Sequence, residues 1–164
     1  MTKVVFPGTF DPIHFGHIDI ATRSSKLFDE VVVAVYDKPL KNLLFTPEVR
    51  IELAREALKH LPNVQVMGYS GLTVSFAETI GATAIVRGLR VFSDFELEFR
   101  MALANRRLLP EIDTIALITT EENTFLSAST VKEIASLGGD VSSMVPEHVN
   151  RALKVRYQAL ENEN

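Results

Sequence analysis

Five short runs of β-branched and apolar residues punctuate the chain: Lys3–Phe6, Val31–Tyr36, Val64–Met67, Thr83–Val86 and Thr114–Ile118. Each is flanked by turn or polar residues, as buried strands are. Helix signals lie between them. Thr46 before Pro47 is an N-cap with proline at the first helical position, opening a helix to about Leu61 that Pro62-Asn63 stops. Ser93-Asp94-Phe95-Glu96 has the spacing of a capping box and opens a helix towards Leu109, with Pro110 at its exit. Thr130-Val131-Lys132-Glu133 caps another helix in the same way, stopped by Gly138-Gly139, and Pro146 starts a last one through Leu160. Strand and helix alternate almost throughout, which predicts an α/β fold: an open, mainly parallel five-stranded sheet with helices on both faces. Without a repeat, linker or low-complexity segment to divide it, the chain of 164 residues reads as a single domain over 1–164.

Composition narrows the function classes. Seventeen Lys plus Arg against 21 Asp plus Glu give a net charge of −4, which lacks the basic excess of a general nucleic-acid binder, so any anion site must be local. The absence of cysteine excludes disulfides, thiolate metal ligands and cysteine nucleophiles. Met1 to Phe10 contains no long apolar region and no aliphatic run could span a bilayer, so the expectation is a cytoplasmic chain with no membrane partner.

In open parallel sheets ligands bind beyond the carboxyl ends of the strands, near the reversal of strand order. Three segments fall at that edge: Pro7 to His17 after the first strand, Lys38 to Lys41 after the second, and Arg87-Gly88-Leu89-Arg90 after the fourth. The Walker A pattern and G-x-G-x-x-G are both missing, so a nucleotide needs another grip. The first segment offers one. Gly8 lets backbone amides approach a ligand, Thr9 brings a hydroxyl, and the segment enters a helix near Gly16 whose N-terminus favours phosphate, bracketed by His14 and His17. Read alone, the histidine pair also fits a surface coincidence. The remaining histidines, His60 and His148, offer no third zinc ligand at a recognised spacing.

Gly8-Thr9-Phe10-Asp11-Pro12 followed by His14-Phe15-Gly16-His17 resembles the H/T-x-G-H signature of the nucleotidyltransferase superfamily. Asp19-Ile20, Arg23, Phe45-Thr46, Arg87 to Arg90, Asp94-Phe95-Glu96, Asn105-Arg106 and Val131-Lys132-Glu133 extend the likeness over nearly the whole chain, in the order and spacing of bacterial phosphopantetheine adenylyltransferases. The resemblance implies the Rossmann-like nucleotidyltransferase fold, and reversible transfer of an adenylyl group from ATP to 4′-phosphopantetheine. The products would be dephospho-CoA and pyrophosphate, with Mg²⁺ held through the ATP phosphates and coenzyme A as feedback inhibitor. It implies in-line attack without a covalent intermediate, and it makes His17, Lys41, Thr9 and Arg90 the catalytic set. An ATP site would comprise Thr9, Phe10, His14, His17, Gly88, Leu89, Arg90 and Glu98 with the run Asn123, Thr124, Phe125, Leu126, Ser127, Ala128 and Ser129. Phosphopantetheine would meet Thr9, Lys41, Leu72, Thr73, Arg87 and Asn105. Lys38 is read as solvent-facing. Phe6 stands where many relatives carry Tyr and Asn123 where some carry Trp, while Ala128 interrupts the serine-rich run; these departures bear on affinity more than on reaction type.

Phe92, Phe95, Phe99 and Met101 form a helical stripe expected to pack in the core or between subunits, and the family is typically a hexamer. Competing readings are a sister enzyme acting on nicotinamide mononucleotide, or using CTP on a polyol phosphate, a non-catalytic nucleotide-binding module, and an interaction protein. Arg87 to Arg90 with Asp94 to Glu96 favours pantetheine within the superfamily, and the presence of both His17 and Lys41 argues against a non-catalytic module.

Overall fold

The computed structural model describes residues 1–39 and 42–162. Its strands are β1 (Lys3–Gly8), β2 (Glu30–Tyr36), β3 (Val64–Tyr69), β4 (Ala84–Leu89) and β5 (Asp113–Ile118). The α-helices are α1 (Phe15–Leu27), α2 (Pro47–Leu58), α3 (Thr73–Thr79), α4 (Phe92–Leu108), α5 (Ala128–Ser136) and α6 (Glu147–Asn162), with a 3-10 turn at Glu121–Asn123. The sheet order is β3-β2-β1-β4-β5 and every pairing is parallel. Strand order therefore reverses at β1, leaving a crevice between the ends of β1 and β4.

Strand pleating explains the two-sided core. Val4, Phe6, Val31, Val33 and Val35 join residues of α1, α2, α5 and α6 on one face, while Val5, Ala34 and Ile85 join Val74 and Ala77 of α3 on the other. Such strands read as continuous apolar runs because both of their faces are covered.

Several boundaries differ from expectation. β1 and β4 run further than their β-branched cores, so Arg87, Gly88 and Leu89 lie within β4 and not in the turn after it. Thr46 caps α2 as expected, accepting from the Val49 amide at 3.4 Å, but that helix ends at Leu58. Ser93 does not cap α4: the N-cap is Val91, and the carboxylate of Asp94 is drawn instead to Arg90. For α5 the cap is Ser127, whose Oγ accepts from the Thr130 amide at 3.0 Å, so Thr130 lies inside the helix. The aromatic stripe is not core, since α4 has no buried residue and Phe92, Phe95 and Phe99 stack on one another at the surface.

Candidate active site

Phe10 takes a left-handed φ of 49°, costly for a side chain of that size, and is 2% exposed. Its ring meets Phe6 at 5.5 Å and the edge of His17 at 4.8 Å, which holds the conformation in place. Gly8 serves this packing directly, because a Cβ there would lie 3.0 Å from the Phe10 ring. The loop then enters α1 through His14. Its Nδ1 accepts from the Gly16 amide at 3.1 Å, and its own amide donates to His17 Nδ1 at 3.2 Å, a reciprocal capping box built from histidines.

This cap fixes the chemistry of both rings. His14 is buried and beside Arg90; burial first, and the Arg90 charge second, lower its pKa to about 3, so it is neutral at physiological pH. His17 stacks on it with ring centroids 3.7 Å apart. A nitrogen that accepts from a main-chain N–H carries no proton, so neutral His17 holds its proton on Nε2, as a hydrogen-bond donor.

A cleft of about 690 Å³ opens at the reversal point of the sheet. Thr9, Phe10, His14 and His17 line it from the first loop, and Arg87, Gly88 and Arg90 from the end of β4. Glu98 and Asn105 of α4, Leu72 and Thr73 before and at the start of α3, and Leu126 to Ser129 at the start of α5 complete the wall. Leu89, Asn123, Thr124 and Phe125 are not among the lining residues. Asn123 Nδ2 instead bonds Thr120 Oγ1 at 2.9 Å and the Thr124 hydroxyl donates to the Thr120 carbonyl at 3.1 Å. Lys41 lies outside the described residues, and Lys38 is exposed.

Among the described residues, each cation lining the cleft is held by a carboxylate. Arg87 forks onto Glu98, Nε at 2.7 Å and Nη2 at 2.6 Å, while its Nη1 donates to the Pro7 carbonyl at 2.8 Å. Arg90 grips Asp94 through Nε at 3.0 Å and Nη2 at 3.2 Å, and its Nη1 donates to the Leu126 carbonyl at 2.7 Å. Desolvation opposes ionisation of Asp94, but the hydrogen bonds and charge of Arg90 together hold its carboxyl below the usual range. Lys132 pairs with Asp11 at 2.8 Å. Three cations against three carboxylates leave no formal excess among these groups. Guanidinium N–H groups left over from these pairs are donors at the cleft wall, and the N-termini of α1 and α5 add their dipoles there, although in α1 the Phe15 and Gly16 amides are already bonded to the Met144 carbonyl and to His14 Nδ1. Gly88 lets α1 close onto this edge, since a Cβ there would meet Ile20 at 3.1 Å.

Among the described residues, no cluster of three or more His, Asp or Glu side chains is set to hold a metal. No helix among the described residues is long and apolar enough to cross a membrane.

Residues 5–134 match the cytidylyltransferase-like family. A phosphopantetheine adenylyltransferase of Herpetosiphon aurantiacus is 54% identical over 161 residues, covering 98% of both chains. The chain belongs to the phosphopantetheine adenylyltransferase family. Other members show the same full-length likeness: that of Roseiflexus sp. strain RS-1 is 52% identical over 96% of this chain and 98% of its own. The corresponding protein of Heliobacterium modesticaldum is 51% identical over 96% and 94%. The nucleotidyltransferase fold recurs in a Vibrio parahaemolyticus protein assigned as a nicotinate-nucleotide adenylyltransferase. That likeness has a TM-score of 0.70 at 22% identity and covers 93% of this chain and 99% of that one.

Three residues of the site's framework were not singled out as site residues from sequence: Asp11, Lys132 and Arg50. The first two sit inside family motifs, so a signal existed. Arg50 had a fainter one, as a charge on the helical stripe it shares with Ala54, Ala57 and Leu58.

Proposed function

We propose that this chain catalyses reversible transfer of the adenylyl group of ATP to the phosphate of 4′-phosphopantetheine, giving dephospho-CoA and pyrophosphate, a step of coenzyme A biosynthesis. The observation that carries the reading is the full-length likeness to phosphopantetheine adenylyltransferases, joined to a cleft in which His17, oriented by the His14 amide, and two helix N-termini converge.

The acceptor phosphate is ionised at neutral pH, so its oxygen can attack the α-phosphorus without a general base. Positioning and charge stabilisation then supply the catalysis, with direct in-line displacement of pyrophosphate and no covalent intermediate. His17 donates from Nε2 to the α-phosphate as charge builds there. The His14 amide, by donating to Nδ1, leaves Nε2 as the nitrogen that faces outward to donate. Thr9 and Lys41 hold the two phosphates in line. Arg90, fixed by Asp94 and the Leu126 carbonyl, and the amides at the start of α5 face the departing pyrophosphate. Phe10, His14, Gly88 and the run Leu126 to Ser129 belong to the ATP side in this reading, whereas Leu89, Asn123, Thr124 and Phe125 lie off the cleft.

Arg87 meets the acceptor phosphate with its remaining N–H groups, and Glu98, read from resemblance as an ATP contact, orients that guanidinium. Leu72, Thr73 and Asn105 flank the pantetheine arm. Asp11, Asp94 and Glu98 are each committed to a cation, so Mg²⁺ fits as an ion carried by the ATP phosphates and water; it would neutralise charge on the triphosphate. Coenzyme A shares the product's skeleton and would compete for the same cleft. The exposed apolar side chains of α4, Phe92, Phe95 and Phe99 among them, suit contact between copies in a hexamer, and the reading places the enzyme in the cytoplasm.

The test is pyrophosphate release with ATP and Mg²⁺, comparing 4′-phosphopantetheine with nicotinamide mononucleotide, and CTP with glycerol 3-phosphate. Release confined to ATP with phosphopantetheine is expected. Release with another acceptor alone would keep the chemistry and overturn the substrate; none with any would favour a binding module.

A further inference from the structure

Asp11 is a carboxylate only 2% exposed, and both of its oxygens are in use. Oδ1 accepts from the Phe45 amide at 2.9 Å, while Oδ2 accepts from the Leu44 amide at 2.9 Å and from Lys132 Nζ at 2.8 Å. One short loop thereby binds the far end of the connection between β2 and α2, and ties it to α5. The near end of that connection is bound to the same loop by a different group. Arg50, 0% exposed, donates from Nη1 to the carbonyls of Thr9 at 2.6 Å and Tyr36 at 2.7 Å, and from Nη2 to that of Asp37 at 3.3 Å.

We propose that Asp11 is a positioning residue: together with Arg50 it locks the two described ends of the β2–α2 connection to the loop that carries Thr9, and so fixes where Thr9 stands in the cleft for in-line transfer. The inference rests on the adenylyl-transfer reading, in which Thr9 lies in the loop and Lys41 falls, in sequence, between the two anchored ends. Asp11 stands at the cleft wall, but neither of its oxygens is without a donor. Its carboxylate is committed on every side to donors, and two of these are consecutive main-chain amides that no other side chain satisfies among the described residues. Charge is integral to the device. An amide at this position would turn an NH₂ donor towards at least one of three donors and leave that partner buried and unpaired, so the connection would shift to find another acceptor. In-line transfer is sensitive to such a shift, because a displacement of about 1 Å can cost on the order of 10²-fold in rate.

The experiment begins with the full-length wild type, assayed for dephospho-CoA from ATP and 4′-phosphopantetheine. It then compares Asp11→Asn at a temperature where circular dichroism shows the variant folded, together with native-state hydrogen exchange of the Leu44 and Phe45 amides. The expected result is a fall in kcat of about tenfold or more, KM for ATP within about twofold, and faster exchange at both amides. A residue that only stabilises the fold would lower the melting temperature and leave kcat in the folded variant unchanged; that outcome, or unchanged exchange at Leu44 and Phe45, overturns the proposal. If Asp11→Asn does not fold, Asp11→Glu replaces it, keeping the charge opposite Lys132 while moving both oxygens by one methylene, with the same criteria. Failure of the wild type to form dephospho-CoA overturns the functional reading instead, and the exchange measurement still decides whether Asp11 holds the connection.

Discussion

Replacing His14 by Asn keeps an acceptor for the Gly16 amide and removes a ring that titrates, and the difference shows in acid. Burial, followed by the charge of Arg90, lowers the His14 pKa from 6.5 to about 3. As pH falls through about 6.5 the unfolded chain takes up a proton on this ring, whereas the folded protein refuses it until about pH 3. The unfolded state therefore binds more protons over that interval. The stability tied to a neutral His14 is complete above about 6.5 and is lost progressively towards 3, at about 1.4 kcal/mol per pH unit. Between pH 6.5 and about 4.5 the loss is roughly 2–3 kcal/mol, and asparagine at the same position contributes none of it. At neutral pH asparagine supplies a good cap, but the variant lacks the stacking on His17, which favours the wild type. Urea unfolding followed by far-UV circular dichroism, at fixed protein concentration, measures the gap at about pH 7 and about pH 4.5. The advantage of wild type should shrink by roughly 2–3 kcal/mol in acid and can reverse. A gap that does not change with pH would refute the claim that a neutral, buried imidazole closes the start of α1.

Three further outcomes follow from the site. His17→Ala should lower kcat by on the order of 10²–10³-fold with a much smaller change in KM for ATP, as expected for a donor used mainly in the transition state; near-normal turnover in a folded variant would remove His17 from the mechanism. Arg87→Ala should raise KM for 4′-phosphopantetheine more than KM for ATP, and equal losses would contradict its assignment to the acceptor side. Phe95→Glu combined with Phe99→Glu places charges on the exposed face of α4 and should lower the molar mass in sedimentation equilibrium; an unchanged mass would show that copies do not associate through that face.

The architecture was largely legible because each strand is a short β-branched run and each run is separated by residues with helical punctuation. Thr46-Pro47 marked the start of α2 correctly, since an N-cap followed by proline has few alternative conformations. Ser93 and Thr130 misled for a shared reason: a hydroxyl three residues before a glutamate satisfies the local pattern, but other partners decide which residue starts the helix. Asp94 was captured by Arg90, and Ser127 reached the orphan amide at Thr130 first. The phenylalanine stripe of α4 illustrates the limit of periodicity, which reports that a face is apolar and not what it faces. Within the site, Thr9, His17, Arg87 and Arg90 were found at the cleft through motif and position at the sheet edge, whereas Leu89 and Asn123 to Phe125, named in the same way, lie off it, and Tyr36, Tyr69 and Thr119, which line it, carried no such signal. Those that hold the lining in place, Asp11 and Arg50, act through main-chain amides and carbonyls of segments more than ten residues away, and no spacing rule encodes such contacts.

The central claim is that an adenylyl group passes directly from ATP to the phosphate of 4′-phosphopantetheine. Turnover with ATP labelled separately at the α- and γ-phosphorus, followed by separation of the acceptor product from pyrophosphate, tests it most directly. The account predicts α-label in the acceptor product as dephospho-CoA, γ-label only in pyrophosphate, and no label left on the protein. Gamma-label in the acceptor product would mean phosphoryl transfer, and α-label retained on the protein would mean a covalent intermediate; either result would contradict the mechanism built on His17 and the two helix N-termini.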